Sequence, residues 1–128
     1  MIGYHGDIEE LTLANKNFRQ VLFTAPHSQL VLMSLLPGEE IGLEVHNEVD
    51  QFFRFEKGSG KIILGGEETI IGAGDAAIVP AGAEHNVINT STMEELKLYT
   101  IYSPANHPDG TIHPTKADAL KAEESGSR

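Results

Sequence analysis

Apolar runs of five to eight residues alternate with Gly, Pro and Asn turns along most of the chain, the rhythm of an all-β sandwich or barrel. The runs that read as strands are RQVLF, QLVLMSLL, IGLEVH, QFFRFE, GKIIL, TIIG, AAIVP, HNVIN and LKLYTIY. LGGEET reads as a tight hairpin turn in which Gly65 and Gly66 are free to take positive φ. The helix expected from the sequence is PTKADALKA, with Thr115 as its N-cap, and the closing ESGSR is expected to be disordered. One domain over 1–128 is expected, with a barrel core at about 28–103 and a C-terminal loop and tail over 104–128.

The run at 29–36 is apolar at both parities: Leu30, Leu32 and Leu36 on one, Val31, Met33 and Leu35 on the other. A strand of a half-solvated sheet alternates, so this one needs cover on both faces. A homodimer interface and a packed N-terminal segment are the two solutions, and the sequence leaves them open. Phe53 and Phe55 share the parity of Gln51 and are expected to line the barrel's cavity, while Phe52 and Arg54 face away. Leu43 and Val45 face away from Glu44 and His46 and need cover of their own. Tyr99 and Tyr102 have opposite parity, so one of them faces the pocket.

Charge and composition narrow the partners. Lys plus Arg is 9 against 19 for Asp plus Glu, a formal net charge of −10. That disfavours nucleic acid and anionic membrane surfaces, both of which require clustered cations, and leaves a small-molecule ligand or a protein partner. There is no cysteine, which removes disulfides, thiolate metal sites and cysteine nucleophiles together. With no apolar run near the length of a membrane span and an acidic N-terminal stretch unlike a signal peptide, the expectation is a cytoplasmic protein.

Two spaced sets of residues carry the candidate chemistry. The first reads Gly38, five residues, Glu44, one residue, His46, four residues, Gln51, six residues, Gly58. The second reads Gly74, five residues, Pro80, one residue, Gly82, two residues, His85, three residues, Asn89. Glu44 and His46, at i and i+2, leave one face of a strand. If the next strand pairs with it as a hairpin, Gln51 returns across the same face. The Pro80–Gly82 turn delivers His85, so four ligand-type side chains converge inside one barrel. Imidazole nitrogen with carboxylate or amide oxygen suits borderline divalent metals. The blander alternatives are a strand-edge carboxylate for Glu44, a barrel hydrogen-bonding residue for Gln51 and core histidines for His46 and His85. Asp50 and Glu48 read as solvated turn residues, and Asn89 as the tie of a loop. NHPDGTIHPTK reads as a surface loop; the alternative is that it folds over the barrel mouth and lends His107 or His113 to the pocket.

These two segments resemble the paired motifs of the cupin superfamily, in particular its small single-domain microbial members. The family's first motif is Gly, five residues, His-x-His, three or four residues, Glu, six residues, Gly. The second motif matches here at every defined position from Gly74 to Asn89. The first keeps all its spacings but has Glu44 in place of the first His and Gln51 in place of the Glu. The two departures compensate: the usual set carries one carboxylate, and so does Glu44, His46, Gln51 and His85. The ligand set is somewhat harder than usual, which moves preference towards Mn or Fe without excluding Ni, Co or Zn.

The resemblance implies a double-stranded β-helix, a jelly-roll barrel of two antiparallel sheets with a short C-terminal helix or tail. It also implies one divalent transition metal per chain. For function it implies a metal-dependent enzyme acting on a sugar-like or oxo-acid molecule, with an isomerase-type proton shift favoured. The alternatives are a non-catalytic binding or sensing module and a metal-dependent dioxygenase. A likeness to mannose-6-phosphate isomerases is distant: no Lys or Arg cluster suited to a phosphate is evident.

Overall fold

The strand whose two apolar faces posed the packing problem lies near the middle of the larger of two sheets. In the computed structural model, which describes residues 2–125, the chain begins with helix α1 (Ile8–Ala14). Strands β1 (Arg19–Thr24), β2 (Gln29–Leu35) and β3 (Asp50–Lys57) follow. Next come β4 (Ser59–Leu64), β5 (Glu67–Gly72), β6 (Ala76–Val79), β7 (His85–Asn89), β8 (Leu96–Ser103) and the short β9 (Ile112–His113). Helix α2 (Lys116–Glu124) ends the described chain. One antiparallel sheet has the order β6-β3-β8-β2-β1-β9 and the other β5-β4-β7. Their inner faces meet as the two walls of the barrel.

Inward parity follows the sequence closely. Val31, Met33 and Leu35 of β2, Phe53 and Phe55 of β3 and Leu96 and Leu98 of β8 are buried from the large sheet. Ile62, Ile71 and Val87 meet them from the small one. Burying each such side chain is worth about 1.5–3 kcal/mol. The second face of β2 is covered by the chain itself. Helix α1 packs across the outer face of β2, β3 and β8, leaving Leu32 only 3% exposed. Lys97, on the outer face of β8, donates to the carbonyl of Asn15 just past the helix. Of the two solutions, the packed N-terminal segment is the one seen in the single chain.

Helix α1 is absent from the sequence-based expectation. Its signal was the Asp-Ile-Glu-Glu stretch, in which Asp7 caps the helix by accepting from the Glu10 N–H. The expected C-terminal helix is present, with Thr115 and Asp118 forming a capping box. Of ESGSR, Glu124 ends α2 and Ser125 caps it, while residues 126–128 lie outside the described residues. The turn at Gly65 and Gly66 has φ of +58° and +85°, as the hairpin required. IGLEVH forms no continuous strand; it is held by two isolated bridges, Glu40 to Ile88 and Glu44 to His85.

Two glycines of the first motif separate backbone strain from crowding. Gly38 and Gly58 both have positive φ, at +77° and +96°. A Cβ on Gly38 would meet nothing within 4 Å, whereas one on Gly58 would lie 2.6 Å from the Glu95 carbonyl oxygen. Gly38→Ala is expected to lose about 1–2 kcal/mol from strain alone. Gly58→Ala should lose a further ~1–3 kcal/mol from overlap with backbone. Urea denaturation of both variants checks this; equal losses would mean that the β3–β4 turn yields freely to the added methyl.

Candidate metal centre

The site forms where a segment between β2 and β3 crosses to the small sheet. Glu44 and His85 exchange both backbone hydrogen bonds, each 2.9 Å, so the segment extends the small sheet beyond β7. Between its two bridges the segment has one more residue than β7 has. Gly42, at φ +111°, absorbs that extra residue as a bulge, and its N–H donates to Asn86 Oδ1. Asn86 in turn donates to Glu40. The carbonyl of His46 accepts from Gly82 N–H at 2.8 Å, so the Pro80–Gly82 turn fixes this histidine as well as delivering His85. Asp50, exposed as expected, also accepts from the Ala81 N–H of that turn.

Gln51 arrives from the other wall. Strand β3 pairs with β6 and β8 rather than with the 40–46 segment. The expected hairpin is therefore corrected: the four side chains converge across the gap between sheets. Candidate ligand atoms of Glu44, His46 and His85 lie within 4.8 Å of one another. Gln51 Oε1 lies 3.2 Å from His85 Nε2, and Glu44 Oε1 lies 3.9 Å from His46 Nε2. Gln51 and His85 are 2% exposed and His46 7%, while Glu44 is partly open to solvent.

The hydrogen-bond chain around Gln51 fixes which atom faces the centre. The Thr100 hydroxyl donates to the Phe52 carbonyl, so its oxygen accepts from the Gln51 amide NH₂ at 3.0 Å. That leaves Gln51 Oε1 directed at His85 Nε2. His85 Nδ1 faces the Ala83 carbonyl at 3.0 Å, which can only accept, so Nδ1 carries the hydrogen. In a neutral imidazole Nε2 is then an acceptor, and two acceptors face each other at 3.2 Å. A cation between them resolves that contact: a metal ion, or a proton on His85. The donor set fits a divalent metal, with the second ring nitrogen held by a backbone carbonyl as in protein metal sites generally.

Of the expected pocket residues, Phe53 and Tyr102 wall this centre. The Phe53 ring is edge-on to His85 at 6.2 Å, and Tyr102 is edge-on to His46 at 5.9 Å. Phe55 stacks behind Phe53 in the core. Tyr99 has the other parity and packs against Phe52 on the outer face. Asn89 ties the loop, donating to the carbonyls of Leu35, Leu36 and Glu94. Leu43 and Val45 are exposed, with no second layer over them among the described residues. A depression of about 460 Å³ lined by Val45, His46, Asn47, Glu48, Val49 and Asn106 opens beside His46.

The 104–113 loop does fold over this end of the barrel. His107 is buried and its Nε2 lies 3.2 Å from the Tyr102 hydroxyl, so it joins the wall rather than the ligand cluster. Gln29 clamps the loop: its Oε1 accepts from the N–H groups of Asn106 and His107, and its Nε2 donates to the His107 carbonyl. Burial holds the Tyr102 hydroxyl well above its ordinary pKa; Arg19 opposes this, Glu44 adds to it, and hydrogen bonds with Gln51 and Arg19 oppose it further. Thr100, Gln29 and Arg19 were missed in sequence. Their signal was a polar side chain at an inward parity among apolar ones.

Residues 31–102 match the cupin-domain family model, over half of the chain. The chain belongs to the cupin family. It is 48% identical over 124 residues to protein YrkC of Bacillus subtilis, covering 92% of this chain and 66% of that one. To protein L612 of Acanthamoeba polyphaga mimivirus it is 46% identical, covering 85% of this chain and 70% of that one. The crystal structure of BH2720 from Bacillus halodurans superposes with a TM-score of 0.91 at 43% identity, over 93% of this chain and 94% of that one. The chain thus spans about two thirds of the length of the two curated relatives. No helix among the described residues of this cupin is long and apolar enough to cross a membrane.

Replacing Gln29 tests whether its side chain holds the loop against the centre. Gln29→Leu strands two backbone N–H groups, at Asn106 and His107, and should lower stability by about 2–4 kcal/mol. Amide exchange should accelerate across 104–110 while β7 stays protected. Unchanged protection of that loop would show that something other than Gln29 seats it.

Proposed function

We propose that this cupin holds one divalent transition metal through Glu44, His46, Gln51 and His85 and is an enzyme of small oxygenated substrates, with an isomerase-type proton shift favoured. The observation that carries the reading is the contact of Gln51 Oε1 with His85 Nε2, two acceptors 3.2 Å apart whose orientations are set from outside by Thr100 and Ala83. A bound divalent ion would polarise a substrate hydroxyl or carbonyl oxygen and acidify its neighbouring protons. The donor set carries one carboxylate, so the loaded centre has charge +1, as with three histidines and one glutamate.

The chain's own groups supply position and exclusion. Thr100 turns the Gln51 carbonyl oxygen inward, and the Ala83 carbonyl fixes the His85 tautomer. Phe53 and the ring of Tyr102 keep water from the inner side of the centre, leaving the polar depression beside His46 as the approach. Tyr102 supports a second reading, binding without turnover. Its buried hydroxyl, 3.2 Å from His107 Nε2, can hydrogen-bond a bound oxygen without taking part in a proton shift.

Metal analysis of the purified protein should find close to one equivalent of a divalent transition metal per chain. Gln51→Ala should weaken metal binding by more than tenfold. Thr100→Val, which frees the Gln51 amide without touching the ligands, should weaken it by roughly 10-fold. Failure to bind Mn, Fe, Co, Ni or Zn after reconstitution would remove the assignment. An unchanged affinity in Gln51→Ala would reduce the set to three ligands. Turnover of a panel of aldoses, ketoses and oxo acids then separates enzyme from binding module.

A further inference from the structure

Arg19 is 3% exposed, on the inner face of β1 beside Met33 and opposite His113. Among the described residues no carboxylate lies within ion-pair distance of it, and its Nε is buried without a hydrogen-bond partner. Its guanidinium lies 5.3 Å over the Phe18 ring and reaches the Tyr102 hydroxyl. Across the ladder, His113 Nδ1 is also buried without a partner. Burial, and then the charge of Arg19, hold the His113 imidazole below its ordinary pKa, and an imidazole offers no negative charge in either state.

A buried cation without a counter-charge gives up much of its hydration, and one aromatic face returns only a small part of that. Tyr102 gives a neutral hydroxyl. The missing element is an anion. Tyr102 also places the guanidinium beside the centre, because its ring meets His46 edge-on and its hydroxyl feels the carboxylate of Glu44.

We infer that Arg19 and the Tyr102 hydroxyl receive the carboxylate of a small hydroxy- or oxo-acid substrate. The neighbouring oxygen of that acid would then lie towards Glu44, His46, Gln51 and His85. One guanidinium matches one carboxylate. A phosphate dianion fits poorly: among the described residues the other buried cation, Lys97, sits on the outer face under Asn15, and Glu48 lines the depression beside His46. A neutral sugar would leave Arg19 as it is. The choice among substrates rests on the proposed function, but carboxylate binding itself needs no metal.

Titration calorimetry on the full chain, first stripped with a chelator, tests this with glycolate and pyruvate as probes. Ethylene glycol and methyl phosphate serve as the neutral and dianionic comparisons. Both carboxylates should bind at least tenfold more tightly than ethylene glycol and more tightly than methyl phosphate. Arg19→Gln should lose at least tenfold for the carboxylates and nothing for the glycol; Arg19→Lys should keep part of the affinity. Equal carboxylate binding by wild type and Arg19→Gln would overturn the inference. Should Arg19→Gln not fold, the wild-type preference decides, and glycolate binding no better than ethylene glycol overturns it. Repeating the titration with one equivalent of Mn²⁺ separates the two readings. Carboxylate binding that persists in a chain unable to take up metal supports the Arg19 site and counts against the metal centre alone.

Discussion

The reciprocal pair of backbone hydrogen bonds between Glu44 and His85 is the constraint on which the candidate centre depends. It moves the 40–46 segment out of the large sheet, where its neighbour β3 lies, and onto the edge of the small one. Glu44, His46 and His85 thereby approach from one wall and Gln51 from the other. A centre built this way is a joint between sheets. Its geometry is set by backbone pairing, which is stiff, and not by long side chains reaching from one strand. The Gly42 bulge and the Gly82 N–H on the His46 carbonyl are the two adjustments that make the crossing fit.

This division also explains what was legible beforehand. Strand parity is a local property, and it correctly put Gln51, Phe53 and Phe55 inside. Motif spacing named the four side chains that meet. What failed was pairing. IGLEVH has the composition of a strand, and nothing within it shows that its partner is β7. That choice is made by Asn86 and the Pro80–Gly82 turn, some forty residues on. The two-faced β2 likewise posed its question correctly, but the answer lay in a seven-residue helix too short to show a helical period. Its Asp7 cap was the readable signal.

Polar residues inside the barrel sort into two kinds. Asn89, Gln29 and Thr100 have their hydrogen bonds met by the protein, and each fixes a loop or a neighbour. Polar residues at apolar parity are unusual, and the work of these three is to hold geometry. Asn89 belongs to the motif by position yet touches no candidate ligand. Thr100 lies outside the motif, and it decides which atom of Gln51 faces the centre. Motif membership and closeness to the chemistry are therefore different properties in this chain.

The second kind has needs the described protein does not meet. Gln51 Oε1 opposite His85 Nε2 lacks a positive charge between them, and Arg19 lacks a negative one. The two deficits lie on either side of Tyr102 and are opposite in sign. Filling one affects the other. A cation among Glu44, His46, Gln51 and His85 would turn the interior more positive and strengthen the pull on an anion near Arg19, while that anion would steady the cation. Coulomb coupling of this kind is strong where water is excluded, and Phe53, Tyr102 and the loop clamped by Gln29 exclude it. Under the proposed assignments the barrel's interior would offer a place for a cation and a place for an anion, with one buried phenol near both.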